Sequence, residues 1–155
     1  MRRQEREIKE PDRIIEILRK CDTCRIGMID QDRPYVVPMS FGFTNNNNVF
    51  EVYFHGACEG KKIDILKENP SVCLEFDCAC ELVEGKQACG YSMHYQSVIA
   101  YGQVEFLAGE EKVRGLNVLM GQYSSREDFS YPEKMLNSMV VYKVVVDELT
   151  AKEHS

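Results

Sequence analysis

The segment from Val49 to Pro70 constrains the fold of this chain most, because a strand, a turn and a helix start follow one another within it. Its first residues, 49–54, are β-branched or aromatic with one Glu between them, which predicts a strand that ends at His55. Two glycines then flank a short turn, two lysines open a helix over 59–68, and Asn-Pro closes that helix. The segment therefore predicts a strand-turn-helix unit with polar residues at the turn.

The start of this helix has the composition of a phosphate site. A helix N-terminus offers unpaired N–H groups and a partial positive charge. Lys61 and Lys62 add full charges in the same turn, and Gly60 lets an anion approach the backbone. Alternatively, the two lysines are solvated residues of a surface helix whose charge Glu59 offsets. Spacing alone leaves both interpretations open.

The rest of the pattern predicts a mainly β protein. We expect about six strands, many of them antiparallel because short turns join them, and small helices between them. The strands are predicted at 23–29, 35–43, 49–54, 72–83, 96–107 and 139–146, and the helices at 11–21, 59–68, 109–122 and 132–137. Pro38 interrupts the second strand, so it should lie at an edge, a bulge or a ligand, and Gly102 should mark a bulge. The pattern suits one domain over residues 1–155, a closed or nearly closed β-barrel with helices at its ends and a frayed tail from about residue 150.

Charge and composition exclude several classes of protein. The 155 residues carry a net charge of −6, which disfavours nucleic-acid binding because duplex affinity depends on clustered Lys and Arg. No apolar run approaches the roughly 20 residues of a membrane helix, and the charged N-terminus does not resemble a signal peptide. The seven cysteines are an odd number, which together with the missing signal predicts reduced thiols in a cytoplasmic protein.

The cysteines also raise a metal hypothesis. Cys21 and Cys24 have the C-x-x-C spacing of zinc or redox sites, and Cys78 and Cys80 would share one face of a strand. However, the first pair spans a helix-to-strand junction without the glycine of a zinc turn. Free cysteines commonly behave as small buried hydrophobes. We therefore predict no metal site.

His55 has two possible roles. Its ring could simply bond a nearby carbonyl group, as most isolated histidines do. Alternatively, a neutral imidazole at the end of a strand could bond a ligand or transfer a proton.

Several segments, taken together, resemble one known family. The matching segments are Tyr53–Ala57, Gly60–Lys62, Lys67–Pro70, Met1–Ile8, Tyr35–Phe43 and Ser97–Gly102. In this order and at these spacings the chain resembles the pyridoxamine 5'-phosphate oxidase-like split barrels that bind FMN. Within that superfamily it is most similar to the group related to nitroimidazole-resistance proteins.

The resemblance implies a split β-barrel and a set of site residues. Lys62 falls where the FMN phosphate is held, and Lys61 where a second basic ligand often lies. The flavin ring would lie along Val37, Pro38, Met39 and Ser40. His55 and Gly56 would lie near the ribityl chain and the ring edge, and Ser97 would contact the ring, often from the partner subunit. Similar proteins are homodimers with two flavins at the interface.

The implied function is FMN-dependent reduction of a small organic acceptor, with a nitroaromatic compound such as a nitroimidazole as the leading candidate. NADH or NADPH would supply the electrons, although no Gly-x-Gly-x-x-Gly motif specifies a site for either. Pyridoxamine phosphate oxidases carry a substrate-binding Trp, and this chain has none, so we expect a different substrate. The alternative is a non-catalytic module that binds flavin or haem.

Overall fold

A computed structural model describes residues 4–155. The strands are β1 (Glu7–Ile8), β2 (Cys24–Asp30), β3 (Arg33–Met39), β4 (Gly42–Asn46), β5 (Val49–Ala57), β6 (Ser71–Val83), β7 (Ser92–Leu107) and β8 (Met139–His154). The helices are α1 (Pro11–Lys20), α2 (Lys61–Glu68), α3 (Gly109–Tyr123) and α4 (Glu133–Asn137).

All the strands belong to one antiparallel sheet, whose hydrogen-bonded order is β3-β2-β6-β7-β8-β5-β4, with β1 paired to β8. The two end strands, β3 and β4, follow each other in the chain without pairing, so the curved sheet does not close. This architecture confirms the predicted mainly β split barrel with flanking helices.

The core lies on the inner face of this sheet. Its largest fully buried side chains include Tyr142, Phe41, Phe54 and Phe76. The Phe54 and Tyr142 rings stack with centroids 5.4 Å apart, and these two residues pair across β5 and β8. Burial of such a side chain stabilises a fold by about 1.5–3 kcal/mol, so the alternating apolar residues drive the sheet to curve around them.

Two helices cover parts of the barrel. Helix α1 begins at Pro11, which suits a first helical position, and it buries Ile14, Ile17 and Leu18. At the other end of the chain, the Tyr123 hydroxyl of α3 donates to the Asp22 carbonyl at 2.9 Å and accepts from the Phe41 amide at 3.0 Å. The end of α3 therefore ties the start of β2 to the connection between β3 and β4.

Pro38 lies on an edge strand, which is one of the three positions predicted for it, but it does not interrupt that strand. Strand β3 continues through Pro38 to Met39, and the break falls at Ser40 and Phe41. Pro38 is tolerated because β3 has only one neighbour, β2, and its missing N–H can face outward. The single strand expected over 35–43 is thus two strands, and with β1 this raises the count from about six to eight in residues 4–155.

The predicted frayed tail is also wrong. Strand β8 runs to His154, pairs with β7 over its whole second half, and buries Ala151 completely. The bulge expected at Gly102 is confirmed, because the register between β7 and β8 shifts between Tyr101 and Gly102. A methyl group on Gly102 would lie 2.2 Å from the Val145 carbonyl oxygen, which explains why glycine is needed there.

Part of the N-terminal segment that resembles the family, Met1–Arg3, lies outside the described residues. Across residues 4–155, each helix is too short or too polar to cross a lipid bilayer.

Candidate functional site

The turn between β5 and α2 exposes the start of a helix. Gly60 has φ 128°, a conformation that favours glycine, and its carbonyl accepts from the amides of Ile63 and Asp64. A methyl group built on Gly60 would meet no heavy atom within 4 Å, so the space beside this helix start is open. The local sequence thus leaves backbone N–H groups accessible where the two lysines begin the helix.

Lys62 connects three elements of the fold. Its Nζ lies 2.9 Å from Sδ of Met39, at the end of β3. It also crosses Gly56 near the end of β5, where an added methyl group would lie 3.3 Å from Nζ. The structure therefore brings together Met39, Gly56 and Lys62, three of the residues predicted to hold the cofactor.

Among residues 4–155, Lys62 has no carboxylate partner for its charge. Within residues 4–155 no carboxylate lies at ion-pair distance from its Nζ, whereas the adjacent Lys61 has such a partner. Burial lowers the pKa of Lys62 below its ordinary value, since the half-buried ammonium group loses hydration. An anion placed here would offset that cost.

His55 lies beside Lys62, and its ring is not bonded to a carbonyl group through Nδ1. Nδ1 is buried and has no hydrogen-bond partner within the described part of the chain. Burial, and then the Lys62 ammonium, lower the pKa of His55 below its ordinary value. Burial therefore favours the neutral imidazole, and the half-buried ring remains partly accessible to another molecule.

Lys61 is engaged differently from Lys62. Its Nζ lies 2.7 Å from Oδ2 of Asp30 and 4.9 Å from the centroid of the Tyr35 ring. Asp30 and Tyr35 belong to the hairpin of β2 and β3, and sequence reasoning missed both of them as neighbours of the site. No local signal could have identified them, because the hairpin reaches α2 only in the folded barrel.

The four residues predicted to follow the flavin ring alternate in orientation. Val37 and Met39 are half-buried and pack against the core, while Pro38 and Ser40 are exposed. Of these four residues, only Met39 lies within hydrogen-bonding distance of the Lys62 ammonium group.

Within one chain, Ser97 lies away from the group formed by Met39, Gly56 and Lys62. It pairs with Asp77 of β6 and Lys152 of β8, and strands β2 and β6 separate β7 from β3. It is on the outer face of the sheet, where the nearby Ile99 and Tyr101 are 40% and 50% exposed.

The cysteines do not form the four-thiol site considered from their spacing. Cys21 and Cys24 are buried, and the Cys21 thiol donates to the Ile17 carbonyl at 3.3 Å. Ala79, with φ 54°, interrupts β6, so Cys78 and Cys80 do not lie on a regular strand. In the described part of the chain, no three His, Cys, Asp or Glu side chains are grouped for metal binding.

Solved structures show the same fold. A protein from Bacteroides thetaiotaomicron, provisionally named a 5-nitroimidazole antibiotic resistance protein, is 38% identical with a TM-score of 0.82, over 95% of this chain and 86% of its own. The FAD and heme binding protein from Mycobacterium smegmatis has a TM-score of 0.86 at 17% identity, over 97% of this chain and 74% of its own. The flavocytochrome Anf3 from Azotobacter vinelandii has a TM-score of 0.82 at 20% identity, over 100% and 72%.

A comparison with curated proteins gave no match. The sequence model of the family described as pyridoxamine 5'-phosphate oxidase matches residues 10–153, nearly the whole chain. The match includes the strand-turn-helix unit and the residues Met39, Gly56 and Lys62, which the fold brings together. The chain therefore belongs to the pyridoxamine 5'-phosphate oxidase family, as its sequence motifs predicted.

Proposed function

We propose that this chain is a flavin-binding protein, that its cofactor is FMN, and that it reduces a small organic acceptor. The observation that carries the proposal is the Lys62 ammonium group, which is half-buried at the open start of α2 and has no carboxylate partner in the part of the chain that the structure describes. A phosphate monoester supplies the missing negative charge and accepts hydrogen bonds from the helix N–H groups.

The neighbouring groups suit the rest of a flavin. The half-buried ring of His55, beside Lys62, can bond a polar edge of the flavin ring or the ribityl chain. The ring is flat and apolar on its faces, and the half-buried side chains of Val37 and Met39 provide an apolar surface, with Pro38 and Ser40 on the same stretch. Gly56 leaves room for Lys62 to reach its position.

A bound flavin would supply electron transfer between a donor and an acceptor. The protein groups hold it and manage protons. Lys62 binds the phosphate, and Lys61, which is paired with Asp30, lies beside it in the first turn of α2. His55, whose pKa is lowered by burial and by Lys62, can accept a proton or donate one after it is charged.

The identity of the acceptor and donor rests on similarity. The relative at 38% identity bears a name for 5-nitroimidazole resistance, which supports a nitroaromatic acceptor. NADH or NADPH is the proposed donor. No Gly-x-Gly-x-x-Gly motif in the sequence specifies a separate site for this donor.

We also propose a cytoplasmic homodimer. Ser97 lies on the outer face of the sheet with the exposed Ile99 and Tyr101, and a second subunit covering that face would bring Ser97 to its flavin. The free cysteines support a reducing compartment.

A second candidate function is a module that binds flavin or haem without turnover. Two structures that share this fold are named for haem as well as flavin: the FAD and heme binding protein and the flavocytochrome. Absorbance spectra and mass analysis of the purified protein would identify the bound group. Consumption of NADH or NADPH with a nitroimidazole would then separate an enzyme from a module.

The phosphate assignment is tested with Lys62→Ala. Loss of a charge-assisted hydrogen bond of about 1.5–3 kcal/mol should weaken FMN binding by about 10- to 100-fold. Lys67→Ala is the matched control, because Lys67 is an exposed lysine at the other end of α2. Equal FMN content in the wild type, Lys62→Ala and Lys67→Ala would refute the assignment.

A further inference from the structure

The turn between β5 and α2, called the phosphate turn below, leads into two adjacent lysines. Their electrostatic surroundings differ. Lys61 forms an ion pair with Asp30 at 2.7 Å and lies over the Tyr35 ring. Lys62 has no such carboxylate in the described part of the chain, and Met39 and Gly56 surround its ammonium group. The spacing in the sequence does not distinguish the two lysines, whereas their contacts in the folded chain differ.

The position of Asp30 follows from the barrel rather than from α2. Asp30 is the last residue of β2, and the turn after it contains Gln31 with φ 59°. This hairpin carries both Asp30 and Tyr35 to the first turn of α2. The Asp30 side chain is 29% exposed and that of Lys61 is 58% exposed, so both remain close to solvent and to an incoming anion.

We propose that Asp30 is a specificity-determining residue of the phosphate turn, which it tunes by neutralising Lys61. This inference rests on the proposed function, since it concerns the same site. With Asp30 in place, Lys61 is paired, and Lys62 is left without a carboxylate partner among residues 4–155. A doubly charged phosphate monoester must compete with the Asp30 carboxylate for Lys61 and is repelled by that carboxylate at short range.

The consequence is a site whose affinity depends on the charge of its ligand. Removal of the Asp30 charge should strengthen binding of a phosphate dianion and leave binding of an uncharged flavin unaffected. Because the pair is solvent-exposed, a gain of about threefold to tenfold is expected rather than several orders of magnitude.

The experiment measures dissociation constants by calorimetry and flavin fluorescence for wild type, Asp30→Asn and Asp32→Asn. Asp32 is the matched control, because it is an exposed carboxylate in the same hairpin turn. The probes are FMN, riboflavin, which lacks the phosphate, and inorganic phosphate. Asp30→Asn should bind FMN and phosphate about threefold to tenfold more tightly, with riboflavin unchanged. Asp30→Ala serves as the second variant if the amide variant does not fold.

The outcomes separate this inference from the proposed function. If FMN binds the wild type and Asp30→Asn equally well, the role of Asp30 is refuted while the flavin site stands. An equal gain in FMN affinity in Asp32→Asn would also refute it, because the effect would then come from net charge alone. An equal gain in riboflavin affinity in Asp30→Asn would refute it too, because the effect would then come from contacts with the flavin ring. If neither FMN nor phosphate binds any of these proteins, both proposals fail.

Discussion

The Lys62 ammonium group crosses Gly56 so closely that a methyl group on residue 56 would lie 3.3 Å from Nζ. This contact joins the end of β5 to the first turn of α2, and it depends on the absence of a side chain at Gly56. The position of the Lys62 ammonium group therefore depends on a glycine of a neighbouring strand.

Gly56→Ala should displace the Lys62 ammonium group with little effect on the fold. The new methyl group meets the flexible end of a side chain, so the free energy of unfolding should change by less than about 1 kcal/mol. FMN affinity should fall by about threefold to tenfold, because part of a charge-assisted bond is lost. Urea unfolding and flavin titration measure the two quantities.

Gly121→Ala is the control for that variant, since an added methyl group there has no heavy atom within 4 Å. It should leave FMN affinity unchanged. Unaltered affinity in Gly56→Ala as well would mean that the position of Lys62 does not matter for binding.

His55 should make the stability of the protein depend on pH. Its pKa in the fold lies below its ordinary value of 6.5, so the unfolded chain takes up the proton first as the pH falls. The contribution of His55 to the free energy of unfolding is therefore fully present above pH 6.5 and is lost as the pH falls from 6.5 to the lower pKa of the folded state.

His55→Asn should remove this contribution, which amounts to the uptake of at most one proton per chain. The measurement is urea unfolding from pH 8 to pH 5 for wild type and variant. His94→Asn removes a more exposed imidazole and serves as the control. Parallel pH profiles for wild type and His55→Asn would contradict the assignment of a buried, neutral ring.

Tyr123→Phe should destabilise the barrel without touching the site. The hydroxyl bridges the Phe41 amide and the Asp22 carbonyl, and Phe41 is completely buried. Loss of the hydroxyl group leaves the partly buried Phe41 amide without this partner, which should lower the free energy of unfolding by about 1–2 kcal/mol. Chemical denaturation measures the change, and a stability equal to that of wild type would show that water replaces the hydroxyl.

Gly102→Ala should be more damaging than Gly56→Ala. The new methyl group would lie 2.2 Å from the Val145 carbonyl oxygen, and a backbone atom in a paired strand cannot move aside easily. We expect a loss of about 2–3 kcal/mol in the free energy of unfolding. A loss smaller than that of Tyr123→Phe would contradict the close approach at this bulge.

The fold class was predictable because it depends on local patterns repeated along the chain. Apolar runs with turn residues between them marked β2, β5, β6 and β7 within a few residues of their bounds. Pro38 indicated an edge position among other possibilities, and β3 is an edge strand, but the break was misplaced because a proline on an edge strand need not interrupt it. The end of β8 was missed because its polar residues alternate around the buried Ala151, and only pairing with β7 orders them.

The sequence by itself determined the strand-turn-helix unit, since glycine conformation, helix start and charge all lie within a few residues of Gly60. The tertiary structure alone decided that Lys61 pairs with Asp30 while Lys62 has no carboxylate partner in the described residues, and that Ser97 lies on another part of the sheet. The physical reason is that the conformation of a turn depends on neighbouring residues. Which charged side chains come into contact depends instead on how strands that are distant in the chain are ordered in the sheet. That strand order is set by packing between side chains far apart in the sequence.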